Sequence, residues 1–493
     1  MKSIASKIKV LLLVGIFTAV GAISLTAKAN VWTTENQWSS EWEQKYKNWL
    51  RDSTDSHLFS RAVNKDGSPN PYYGIRVDCA DLVYSLRIIF SYENKLPFVI
   101  HNPVSSRVEL ISNDIKRYDK FSEGIPRLKV FLTWIYDLVS THSMPLDTYS
   151  IPFEAVGPGT LILTTHKNHH SWTIRDITKT GNPDLLFNST VGRLSGLEVQ
   201  ERLSWPNPAW IFEPEVDKND ETKNINIYLP GSYAGFRYWR PVDYMNKPES
   251  VVPGYSEEQH KVGVSKWKTG AISKLAKVKE SVDQVVLRLL KDACSDFQQR
   301  VTAVAEAEVA KAELALLKTK NDSTGDANQD ESSVCLDAEK FDQYSTPSRD
   351  RRFVDGLIQA RVYFQDELAR SGEKAFSSAN LSIYTTIFPF ITKSAAEEAS
   401  LDKTAKSAQN YCSLTINSKI GNLSLAELKR RVFLGKVSAN PNDSTTGRFG
   451  YSKTEKDIGY TKCQEKTYGL GPSIYNLNKI ESDAKKEILS SKP

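Results

Sequence analysis

Hydrophobic positions along this chain change period twice. Early on they recur at helical spacing: Trp38, Trp42, Tyr46 and Trp49 form one stripe, read as a face that packs a helix onto the following region rather than as a sugar-binding surface. "NKDGSPNP" then interrupts the chain. "VDCADLVYSL" opens a second predicted helix, with Asp78 as its cap and Leu82, Val83, Leu86, Ile89 and Phe90 on its apolar side. "PRLKVFLTWIYDLVSTH" repeats the pattern, with Pro126 at its start and Leu128, Phe131, Leu132, Ile135 and Leu138 buried. After "VGPG" the period becomes two. "TLILTT", "HSWTIRDI" and "DLLFNST" read as strands, and "AGFRYWRP" as one that closes a small antiparallel sheet. Helices followed by a meander give an α+β class.

From about residue 271 the helical period returns, through Leu275, Val278, Val282, Val285, Leu289, Ala293, Phe297, Val301 and Val304. Without a strict heptad and paired charges, this reads as the spine of a helical domain rather than a coiled coil. "RDRRFVDGLIQARVYFQDELARSG" and "SLAELKRRVFLG", opened by Ser424, add further helices. The expected division is a leader over 1–29, an α+β domain over 30–246 with an insertion at about 99–150, a linker over 247–270, and a disulfide-containing all-α domain over 271–493.

The leader reading rests on Lys2, Lys7 and Lys9, the short apolar run "VLLLVGIFTAVGAISL", and the small residues Ala27 to Ala29. It predicts a soluble protein that is secreted or periplasmic, with no stable membrane insertion after cleavage. The net charge of +5 is mild and its lysines and arginines are scattered, which argues against nucleic-acid binding.

Five cysteines follow: Cys79, Cys294, Cys335, Cys412 and Cys463. In an oxidising compartment the last four are disulfide candidates, in any of three pairings. Cys79 is left alone at a predicted helix start, where unpaired backbone N–H groups stabilise a thiolate. Such a nucleophile needs a histidine to take its proton and a third polar group to orient that histidine. His170, at the head of the second strand, is the candidate base. Asn188 in the third strand orients it if Trp172 pairs with Asn188, so that His170 and Asn188 share a face as diagonal neighbours; Asp176 and Asn182 are the fallbacks. His166 and His169 read as turn histidines rather than zinc ligands, and no metal or organic cofactor is expected.

"VDCADLVYSL" resembles the Asp-Cys-Ser-Gly-Leu-Val helix start of NlpC-type cell-wall cysteine peptidases. "PGTLILTT" and "HSWTI" are similar to their Pro-Gly-Asp-Leu-Val and His-Val-Gly-Ile strands. Ala80, Asp81 and Thr160 depart from that pattern. The resemblance implies a papain-like fold, Cys79, His170 and Asn188 as catalytic residues, and Tyr72 or Tyr73 near the oxyanion site. It also implies peptide amide bonds of peptidoglycan as substrate. A second resemblance, of "HSWTIRD" and "FNST" to transglutaminase-like cysteine enzymes, implies acyl transfer or deamidation at the same three positions. A non-catalytic envelope-binding protein that keeps the fold is the third expectation.

Overall fold

The computed structural model describes residues 30–105, 107, 109–164, 170–188, 199–212, 216–217, 220–224, 233–322, 336, 344, 346–401, 411–451 and 476–490. The leader, His166, His169, Cys335 and Cys463 lie outside the described residues.

Helix α1 (Ser40–Ser53) starts at Ser39, whose hydroxyl accepts from the Trp42 N–H. Its aromatic stripe closes on Phe90, with Trp42, Tyr46 and Trp49 of the helix and Trp38, just ahead of the cap, all in ring contact with it. The Arg87 guanidinium lies 3.4 Å over Trp38 and pairs with Glu43. The stripe is therefore packing, as its spacing suggested.

Helix α2 (Cys79–Glu93) is capped as predicted: the Asp78 carboxylate accepts from the Asp81 N–H and the Asp81 carboxylate accepts from the Asp78 N–H. Instead of one apolar side, the helix is buried from Cys79 through Ser91. The insertion accounts for this: helix α3 (Ile125–Tyr136) and the short antiparallel pair Val99–His101 and Leu110–Ser112 contribute Leu128, Phe131, Ile135, Ile100 and Ile111 to the same core.

The sheet has six strands, β1 (Thr148–Ser150), β2 (Leu161–Thr164), β3 (His170–Ile177), β4 (Pro183–Phe187), β5 (Gln200–Arg202) and β6 (Gly235–Trp239). They run antiparallel in the order β1-β6-β2-β3-β4-β5. Strand alternation divides its two sides. Leu161, Leu163 and Leu186 join the core of α2, whereas Ile162, Trp172, Ile174, Leu185 and Phe187 join a second core on the other side.

Residues 247–270 are not a free linker. Gln259 is fully buried and bonds both the N–H and the carbonyl of Phe236, and Trp267 stacks on Phe236 at 4.4 Å. The helical spine also breaks: α4 (Val264–Leu275) stays with the sheet, and α5 (Val282–Asp322) begins anew. With α6 (Pro347–Ser371), α5 builds a third core, to which α7 (Leu425–Phe433), capped by Ser424, contributes Leu425, Leu428 and Val432. Arg361 with Glu398, Glu398 with Lys429, and Arg361 with Glu481 form a buried ion network there. Cys294 and Cys412 are disulfide-bonded across 118 residues of sequence.

Candidate active site

Cys79 is the first residue of α2, and its thiol is free and buried, with 4% of the residue exposed. Its Sγ lies 3.5 Å from the Thr141 hydroxyl, supplied by the insertion. The Ser171 hydroxyl of β3 donates to the Cys79 carbonyl at 2.8 Å. So β3 meets the start of α2 on the side to which Ser171 points.

The thiol holds its proton firmly. Burial and the nearby Asp78 carboxylate push its pKa up to about 11, while contacts with Thr141 and Ser171 pull the other way. The Asp81 carboxylate is turned back into the capping box, where it accepts from the Asp78 N–H. Asp78 thus supports the helix start as expected, yet its charge opposes the thiolate.

His170 does not join this group. Thr164 is its partner on β2 and Ser171 pairs with Leu163, so His170 falls on the opposite side of the sheet from Ser171. There its ring packs edge-on against Trp172 at 4.2 Å and against Phe187 at 5.5 Å. Its Nδ1 is buried with no hydrogen-bond partner among the described residues. Burial, assisted by the Arg352 charge, pulls its pKa down to about 3. A neutral imidazole in an aromatic core is a packing residue. This corrects the expected Cys79–His170 pairing, and its cause is strand parity.

The β3–β4 register is also one residue away from the expected one. Thr173 pairs with Leu186 and Ile174 with Leu185, so extension sets Trp172 against Phe187 and Ser171 against Asn188. Asn188, 1% exposed, therefore falls on the thiol's side of the sheet, with Ser171 and not with His170. The fallback residues are occupied elsewhere: Asn182 donates to Thr180 within the β3–β4 turn, and Asp176 pairs with Asp184 beside that turn. Tyr72 donates to Glu93 at the far end of α2, about 20 Å along the helix from Cys79. Tyr73 is largely exposed, and its carbonyl accepts from Lys129. Neither tyrosine is tied to the thiol. Thr141 and Ser171, which are tied to it, were missed; the parity of "HSW" contained the signal for Ser171.

A cleft of about 770 Å³ opens beside this region, between the β4–β5 edge and helices α5 and α6. Asn188 lines it, as do Asp184, Arg202, Asp292 and the Cys294–Cys412 disulfide. Among the described residues there is no group of three or more histidine, cysteine, aspartate or glutamate side chains placed to hold a metal, and no helix long and apolar enough to cross a membrane. No family model, curated protein or solved structure matches the chain.

Proposed function

We propose that the mature chain is an exported cysteine hydrolase that cleaves amide bonds in cell-wall peptides, with Cys79 as nucleophile and a papain-like arrangement of α2 on the sheet. One observation carries the reading: Cys79 heads a capped helix that is bonded to β3 on the side of the sheet where the register also sets Asn188. The helix start offers N–H groups that favour a thiolate. Attack on the substrate carbonyl forms a thioester and releases the amine; water then frees the acid.

The proton acceptor in this scheme comes from the Ser171 side of β3, which carries odd-numbered residues. His170 is even-numbered. His169, adjacent to it in sequence and outside the described residues, replaces His170 as the histidine to test. Asn188 is the orienting group. Acyl transfer to an amine, the transglutaminase-like outcome, would use the same thioester with a different acceptor.

A second reading, a non-catalytic envelope-binding protein, draws support from the sealed thiol and its raised pKa. Iodoacetamide labelling of the mature protein at pH 6 separates the two. A Cys79 paired with a base is alkylated there within minutes. A thiol that reacts only as the pH approaches 11 supports the binding protein and removes the hydrolase.

A further inference from the structure

The cleft beside Asn188 is assembled from two parts of the chain. Its floor is the sheet edge: Asp184 on β4 and Arg202 on β5, the last strand of the sheet. Its far wall is α5, which also covers that edge strand. The Asp292 carboxylate accepts from the Leu203 N–H at 2.6 Å, and the Ser295 hydroxyl donates to the Glu201 carbonyl at 2.7 Å. An edge strand is usually protected by such cover. Here the cover stops short of filling the space, and a cleft within the size range of small-ligand sites is left.

The charges in it are balanced. The described lining residues include four arginine or lysine and four aspartate or glutamate side chains. Three of these side chains retain unused capacity. Asp292 is 7% exposed, and its second carboxylate oxygen is buried with no hydrogen-bond partner among the described residues. The Asp184 Oδ1 is in the same condition, its other oxygen being taken by Arg175. The Arg202 Nε is a buried donor with no acceptor among the described residues. Buried polar groups left unserved are destabilising. Two orphan acceptors, one on the Asp292 carboxylate and one on an Asp184 carboxylate already paired with Arg175, call for a donor, and the Asp292 charge favours a cationic one. One orphan donor of positive charge calls for an anionic or carbonyl acceptor. An anion alone or a cation alone would satisfy one sign and face the other unpaired.

We infer that this cleft binds a short zwitterionic peptide, its ammonium group held by Asp292 and Asp184 and its carboxylate by Arg202. The site stands on the cleft itself and does not require Cys79 to be a nucleophile; its contact with Asn188 would make it the binding groove of the same active site if Cys79 is one.

Calorimetric titration of the full mature chain carrying Cys79→Ala tests this, because no turnover can consume the peptide. The probes are Ala-Lys-Ala with free termini and the same peptide acetylated and amidated at its ends. The free form should bind at least tenfold more tightly than the blocked form. Asp292→Asn and Arg202→Gln should each weaken the free form at least fivefold while leaving the blocked form within twofold. Equal affinity for the two peptides, no saturable heat at millimolar peptide, or two folded variants that bind like the parent would each overturn the inference. The peptide comparison needs no variant in the cleft, so a misfolded Asp292→Asn protein does not weaken it. Binding as expected with no thiol reactivity would sink the hydrolase reading alone.

Discussion

The two sides of strand β3 share one backbone and serve different ends. On the Ser171 side, polar groups meet polar groups: a hydroxyl on the Cys79 carbonyl, a thiol beside Thr141, and Asn188 at the edge of a charged cleft. On the His170 side, the imidazole lies among Trp172, Phe187 and an aromatic cluster that extends through Phe236 to Trp267. A histidine next to the right place is not in the right place, because one step along a strand crosses the sheet. Both sides carry a core, but only the Ser171 side brings polar groups to Cys79, whereas the His170 side is closed by aromatic packing.

The sharpest way to break that comparison is to exchange the histidines. His169→Ala should lower amide hydrolysis at least a thousandfold, about 4 kcal/mol of barrier. His170→Phe should stay within threefold. The reverse pattern in turnover assays would return the catalytic role to the aromatic side. Next in size, Asn188→Ala should lower kcat about a hundredfold with little change in KM, whereas Asn182→Ala should change neither. Equal effects at the two positions would mean that the register argument has picked out nothing.

A smaller effect sharpens the packing side. His170 stays neutral in the folded protein down to about pH 3, whereas in the unfolded chain it takes a proton near its ordinary value of about 6.5. Stability should therefore fall as pH drops through that window, by at most about 1.4 kcal/mol per pH unit from this residue. His170→Phe should flatten that limb in urea titrations at pH 6.5, 5 and 4. An unchanged slope would show that the imidazole is not held neutral in the core.

Much of this was legible in the sequence because it depends on local rules. Asp78 announced the helix start, the period-two runs announced four of the sheet's strands, and Ser424 announced its helix. The site was legible only in part. Cys79 could be singled out as a lone thiol at a helix tip. That His170 does not face it depended on how β3 lies on α2, and that contact spans ninety-two positions. The β3–β4 pairing depended on the turn between Ile177 and Pro183 and on an irregularity between Ile174 and Asp176, neither of which composition reveals. The supposed linker failed for a related reason: Gln259 and Trp267 look ordinary in a polar stretch until Phe236 of β6 offers them a partner. Burial of the thiol came from the inserted segment, whose Thr141 carries no sequence signal for this role.

The most direct measurement is peptide release from isolated sacculi by the mature protein and by its Cys79→Ala form, matched for folding by thermal unfolding. Release should fall at least a thousandfold in the variant, and a thioester adduct at Cys79 should be trapped by rapid quench and mass spectrometry in the parent. Release that continues at the parent's rate without this sulfur would contradict the account.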